Sequence, residues 1–264
     1  MEKQSLDEQV EGLVVEVTPE EPPQTLGGRI EKSKTRRKSY VMDLRIQSPA
    51  ALGYLGIDGI DTAPALVRLA KVKGLDVIAV TDFYSGLFID RIIAAAADTP
   101  VTVIPGVVIR CRIDSCDDVV LTCLFPEHFR AAEIRQFLMQ LQVPEKAAGD
   151  SRYVVQIGFA KVLEIIDQLG GVAIPSRMDK TPFRKSVIPA LVERFGFRAF
   201  DLAYYPDSIQ FFKSNWPGIK FNLLSFSNAT ALAQIGSRIS KVKMSSPGFE
   251  GLRTVAERGE LSAE

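Results

Sequence analysis

Histidine is nearly absent from this chain: His128 is the only one in 264 residues. Ser85, Ser176 and Ser227 therefore lack a histidine base for a Ser-His-Asp arrangement, which sets aside that form of nucleophilic catalysis. Cysteine is scarce as well. Cys111, Cys116 and Cys123 are odd in number, and their C-x4-C-x6-C spacing matches no usual zinc pattern. They read as reduced thiols of a cytoplasmic protein. No apolar run reaches the length of a membrane-crossing helix. The opening MEKQSLDEQVEG lacks the apolar stretch of a secretory signal. Net charge is also missing, since Lys+Arg and Asp+Glu both number 32. No global field then favours nucleic acid or an anionic membrane as a partner. Neither G-x-G-x-x-G at the start of a helix nor a Walker-type G-x-x-x-x-G-K occurs, so no nucleotide-phosphate loop is signalled.

What the chain does hold is apolar substance, 46% of its residues, enough for a sizeable core. Residues 1–40 stand apart. Glu2, Asp7, Glu8, Glu11, Glu16, Glu20 and Glu21 face a single Lys3. The Pro/Gly stretch EEPPQTLGG follows, and then RIEKSKTRRKSY concentrates six basic residues. Such blocks of opposite sign mark a charged arm, either solvated or ordered on a partner. The basic run has no interleaved aromatics, which argues against nucleic acid.

From residue 41 to 264 the pattern is regular. Strands are expected at 40–47, 75–82, 99–113, 117–125, 170–176, 198–205, 219–227 and 238–244. Helices are expected at 62–74, 86–98, 129–142, 159–170, 183–196 (despite Pro189), 228–236 and 247–260. Repeated strand–helix alternation implies parallel βαβ units, with function at the C-terminal ends of the strands. DSCDD, with Asp114, Asp117 and Asp118, reads as a hairpin turn.

The strand ends in order are DLRIQSP (43–49), VTDFYSG (80–86), IPGVVIR (104–110), VVLTCLFPE (119–127), GGVAIPSRMDK (170–180) and LSFSNATALAQIG (224–236). This ladder resembles the PHP (polymerase and histidinol phosphatase) superfamily, whose members carry patterns such as D-L-H-x-H-S, T-D-H, P-G-x-E, A-H-x-D and S-D-A-H. The resemblance runs from about Tyr40 to the last helix. It implies an α/β fold, a distorted (β/α)7 barrel, with a metal cluster at the strand C-termini. At the positions where the family keeps ligands, this chain has Arg45, Gln47, Phe83, Val108, Val120, Arg177, Asn228 and Thr230. Such residues cannot supply imidazoles and carboxylates converging on a metal at about 2.0–2.2 Å, and arginine repels a cation. The resemblance therefore implies a degenerate, metal-free member with no cofactor and no catalytic residue.

Two readings of the mouth stay open. Arg45, Arg177 and Lys180 form an anion site for phosphate or carboxylate, with Arg184 and Lys185 at its rim. Alternatively, Arg45 and Arg177 pair internally with Asp43, Asp82 or Asp179. The expected role is that of an inactive domain serving as scaffold or accessory subunit, with an anion sensor and a residual phosphoesterase as alternatives. Protein partners would meet residues 1–40 and the aromatic segment Tyr204–Trp216. The GG-V-A-I-P stretch also resembles small PHP proteins encoded beside iron-only hydrogenase and NADH-oxidoreductase subunits, which points to an oxidoreductase assembly. His128 lies off the ladder.

Overall fold

The computed structural model describes residues 37–259. The expected arm lies outside them except for 37–40, of which Lys38–Tyr40 already belong to the first strand. Strand β1 (Lys38–Ile46) is buried from Met42 onward. Helix α1 (Thr62–Val72) starts at Asp61, whose side chain accepts a hydrogen bond from the Ala63 N–H. It buries Ala63, Leu66, Val67 and Ala70, the stripe that helical spacing demands. Strand β2 (Val77–Val80) is wholly apolar and wholly buried. There follow α2 (Ile89–Ala96), β3 (Thr102–Val103), β4 (Gly106–Ile113), β5 (Cys116–Leu124), α3 (Ala131–Gln140), α4 (Phe159–Gln168) and β6 (Val172–Pro175). The chain ends with α5 (Pro182–Lys185), β7 (Ala199–Asp201), α6 (Ile209–Asn215), β8 (Asn222–Leu224), β9 (Ser240–Met244) and α7 (Phe249–Ala256).

These strands form three sheets, ordered β3-β2-β1-β9, β4-β5-β6 and β7-β8. Strands β1, β2 and β3 are parallel, as are β7 and β8, which fits the alternation in the sequence. The edge strand β9, antiparallel to β1, departs from it, and so does the middle sheet: β4–β5 and β5–β6 are antiparallel. The cause is local. The two-residue link Asp114-Ser115, with Asp114 at φ 50°, folds β5 straight back on β4, and a parallel return would need a long crossover. Single parallel bridges Phe83–Val108, Ser176–Asp201 and Ile46–Ala229 join neighbouring sheets. They do not extend into ladders, so the described strands form an α/β fold of three sheets and no closed barrel sheet.

Proline accounts for two further departures. The stretch 99–113 is two strands in different sheets, because Pro105 has no N–H to continue a ladder. The stretch 183–196 splits at Ser186-Val187, just ahead of Pro189, into α5 and a π-helical turn, Ala190–Arg194. The region 228–236 holds only a 3-10 turn, Leu232–Gln234, and Asn228 adopts φ 53° instead of capping a helix. Among the described residues, no helix is long and apolar enough to cross a membrane.

Candidate functional site

The ends of the strands bring distant residues to one cleft of about 250 Å³. Arg45 comes from β1 and Gln47 from just beyond it. Phe83 follows β2, Val120 lies on β5, Arg177 follows β6, and Asn228 and Thr230 follow β8. All seven line the cleft, together with Lys180. Val108, the remaining position of the ladder, lies behind Phe83. It is buried in β4, its N–H donates to the Asp82 carbonyl at 3.0 Å, and its carbonyl accepts from the Tyr84 N–H at 3.1 Å. Arg110 and Arg184 also line the cleft. Arg110 was not singled out in the sequence, although it stands two residues after Val108, the strand repeat that puts side chains on one face. Lys185 is elsewhere, its ammonium lying 4.3 Å from the Phe211 ring centroid. His128 is exposed in the turn after β5 and outside the cleft lining.

Arg45 is 4% exposed. Its Nη1 lies 3.6 Å from Asp201 Oδ2, an ionic contact too long for a hydrogen bond, and neither atom has a hydrogen-bond partner. Burial pushes the Arg45 guanidinium down to about 10. Asp201 opposes that shift, while Arg177 and Arg184 add to it. Burial lifts Asp201 to about 6 against the pull of Arg45 and Arg177. Both partners thus lose more to desolvation than the pair returns. Asp201 was not foreseen: it sits in the apolar run AFDLAYY, where its charge gave no spacing signal.

The expected ion-pair partners act differently. Asp43 accepts from the Ser227 N–H at 3.1 Å and the Gly236 N–H at 3.0 Å. Asp82 accepts from the Ser48 N–H at 2.7 Å and the Ser48 hydroxyl at 2.5 Å. Asp179 accepts from the N–H groups of Ala203 and Tyr204 and from the Ser208 hydroxyl, at 2.7–2.8 Å. None of the three forms a salt bridge with Arg45 or Arg177. Their oxygens are taken up by backbone and hydroxyl donors, so they tie the loops around the mouth together. Burial is the leading influence on Asp43 and Asp82, raising both.

Arg177 sits at φ 56°, with its N–H donating 2.6 Å to the Asp201 carbonyl. A side chain held in the left-handed region costs on the order of 1 kcal/mol, a strain that clusters at functional sites. Its Nη1 is buried without a partner, as are Arg110 Nε and Asn228 Oδ1. Asp118 receives Arg184 through Nε and Nη2, both at 2.7 Å, and also pairs with Arg110 Nη1. DSCDD therefore supplies more than a turn.

Five cationic side chains converge, and among the described residues their salt-bridge partners are Asp118 and Asp201. Each buried N–H left without an acceptor costs about 1–3 kcal/mol. A bound oxyanion would accept from Arg45 and Arg177 and remove that cost. The volume lies under the roughly 300–1,000 Å³ of drug-sized pockets, which favours a small ligand group. The donor set does not fit the metal cluster that the PHP resemblance implies. The lining offers guanidinium, ammonium, amide, hydroxyl and hydrocarbon, and no group of three or more His, Cys, Asp or Glu suited to a metal occurs among the described residues. The three cysteines are buried free thiols.

The aromatic segment divides in two. Tyr204 and Tyr205 are exposed, while Phe212 and Trp216 pack into the core with Phe200 and Phe221.

No protein-family model matches the chain, and no curated protein matches its sequence. Solved structures do match its fold. The lesion-specific endonuclease PfuEndoQ from Pyrococcus furiosus superposes with a TM-score of 0.63 at 16% identity, covering 83% of this chain and 56% of the endonuclease. This chain thus spans little more than half the length of that enzyme. A Bifidobacterium adolescentis protein named as a metal-dependent phosphoesterase gives 0.55 at 12% identity, covering 81% and 94% of the two chains. An amidohydrolase from Chromobacterium violaceum, solved with bound sulfate and no metal, gives 0.54 at 14%, covering 82% and 97%. The chain shares the α/β fold of these structures, and at such identities the likeness is one of fold alone.

Proposed function

We propose that the cleft is a non-hydrolytic oxyanion site, taking a phosphate ester or carboxylate on guanidinium groups at the end of the fold where the PHP resemblance implies metal ions. The observation that carries this reading is the lining of one cleft by five cationic side chains, Arg45, Arg110, Arg177, Lys180 and Arg184, of which Arg45 and Arg177 each bury an Nη1 without a hydrogen-bond partner. Fixed guanidinium charge holds phosphoryl oxygens bidentately. Unlike a metal, it does not generate a hydroxide nucleophile from bound water. Binding without turnover is what these residues can do. A fold neighbour solved with sulfate and no metal carries the same class of ligand.

Thermal shift against phosphate and sulfate tests the reading. Saturation near 100 times Kd adds about 2.7 kcal/mol, which for a chain of this size raises Tm by about 5–10 °C. Arg177→Ala should abolish the rise. The absence of any shift, or stoichiometric Zn, Mn or Fe in the purified protein together with phosphatase turnover lost on chelation, would overturn it. The second outcome would establish the phosphoesterase alternative.

An accessory-subunit role in a larger assembly, such as a hydrogenase or NADH dehydrogenase-like complex, is the second reading. The exposed Tyr204 and Tyr205 favour it, as aromatic residues are enriched at interfaces. A pull-down from the native host that recovers this chain alone would remove it.

A further inference from the structure

Asp201 ends β7 and lies off the cleft: it is fully buried, and the lining includes Arg45 but not Asp201. One carboxyl oxygen accepts from the Phe226 N–H at 3.0 Å. The other has no hydrogen-bond partner and stands 3.6 Å from Arg45 Nη1, which has none either. The other charged groups acting on this pair come from the segment after β6 and from α5. They are Arg177, whose N–H donates to the Asp201 carbonyl at 2.6 Å, Asp179 and Arg184. Asp179 is occupied by three donors at 2.7–2.8 Å, and Arg184 is held by Asp118. Arg45 thus touches both a buried carboxyl and the space that a ligand would fill.

A guanidinium that already faces a buried carboxylate is a poor counter-ion for a second anion. An ionised Asp201 cancels the Arg45 charge and repels an incoming oxyanion, with little water to screen either effect. A protonated Asp201 does neither. We infer that Asp201 is a built-in competitor for Arg45, so that the cleft takes up its oxyanion together with a proton. This exchange rests on the oxyanion site proposed above and supplies its regulation. Burial lifts the Asp201 carboxyl to about 6. Below that pH the carboxyl is neutral and Arg45 is free for the ligand. Above it the carboxylate takes Arg45 back, so affinity for the anion falls as pH rises. The coupling is reciprocal: a bound anion strengthens the hold of Asp201 on its proton by the same factor. The lone histidine, His128, lies outside the cleft lining, so the exchange needs no imidazole.

Sulfate is the probe, because it stays a dianion throughout and its own titration cannot mimic the effect. By calorimetry on the full chain, its Kd should rise about tenfold from about pH 6 to about pH 7.5, near the limit for one coupled proton. Binding at about pH 7 should also draw a fraction of a proton from the medium, read from the heats in two buffers of different ionisation enthalpy. Asp201→Asn keeps the shape and cannot ionise. It should bind sulfate about tenfold more tightly than the wild type at about pH 7.5, with a Kd that is flat over the range. Arg45→Gln is the second variant: with the shared cation gone, binding should be weaker and equally flat. A wild-type Kd independent of pH, without proton uptake, would overturn the competitor. So would a pH dependence that persists in either variant, since another carboxyl such as Asp43 or Asp82 would then carry it. In both cases sulfate binding that Arg177→Ala abolishes leaves the oxyanion site standing. No sulfate binding at any pH would sink the site and the competitor together.

Discussion

At the scale of residues, Asp201 has the most consequence. It is fully buried, bonds the Phe226 N–H at 3.0 Å through one oxygen, and faces Arg45 with the other. Its carboxyl is lifted to about 6, above the usual value near 3.9 for an unfolded chain. Between these values the native state keeps a proton that the unfolded chain has released. The stabilisation is therefore fully present below about pH 4 and lost as pH rises through about 6, a change of about 3 kcal/mol. Urea denaturation of the protein and of Asp201→Asn, in buffer free of phosphate and sulfate, measures it. The stability difference between the two should fall from pH 4 to 6.5 and stay flat above. A difference independent of pH would show that Asp201 is ionised throughout.

At the scale of elements, the break between β3 and β4 divides the barrel-like pattern into separate sheets. Pro105 ends the first ladder, and Gly106 lets β4 approach β5. A Cβ on Gly106 would stand 2.7 Å from Leu124 Cδ2 and 2.8 Å from the Cys123 carbonyl, and the backbone oxygen cannot rotate away. Gly106→Ala should cost about 1–3 kcal/mol, the range for forced overpacking, read as a lower denaturation midpoint at unchanged m. A neutral substitution would mean that the hairpin slides to accommodate it. The Pro-Gly pair was visible in the stretch 99–113 and marks an interrupted strand, as Pro189 marks an interrupted helix. In both places helical or strand spacing continues across a residue that lacks the N–H.

At the scale of the whole molecule, charge is balanced in sum and concentrated in place. Equal numbers of acids and bases conceal five cations on a single cleft. A cleft built of fixed charges needs no metal to hold its shape. Chelation with EDTA should leave Tm unchanged, while phosphate raises it. A fall in Tm on chelation, reversed by a divalent ion, would contradict the guanidinium site.

Order and spacing along the chain determined the run of strands and helices, the buried apolar faces, and the strand-end positions that carry Arg45, Gln47, Phe83, Arg177, Asn228 and Thr230. The run of elements and the buried faces follow from local periodicity and from the pleat, which a single chain displays directly, while the strand-end positions come from the motifs that resemble the PHP ladder. Tertiary structure alone decided that the aspartates of the ladder brace backbone while Asp201 faces Arg45, that Asp118 joins Arg110 to Arg184, and that the middle strands run antiparallel. Each depends on which groups from distant segments meet in a desolvated space. There a carboxylate's partner is set by the nearest available donor, and spacing along the chain carries no record of it.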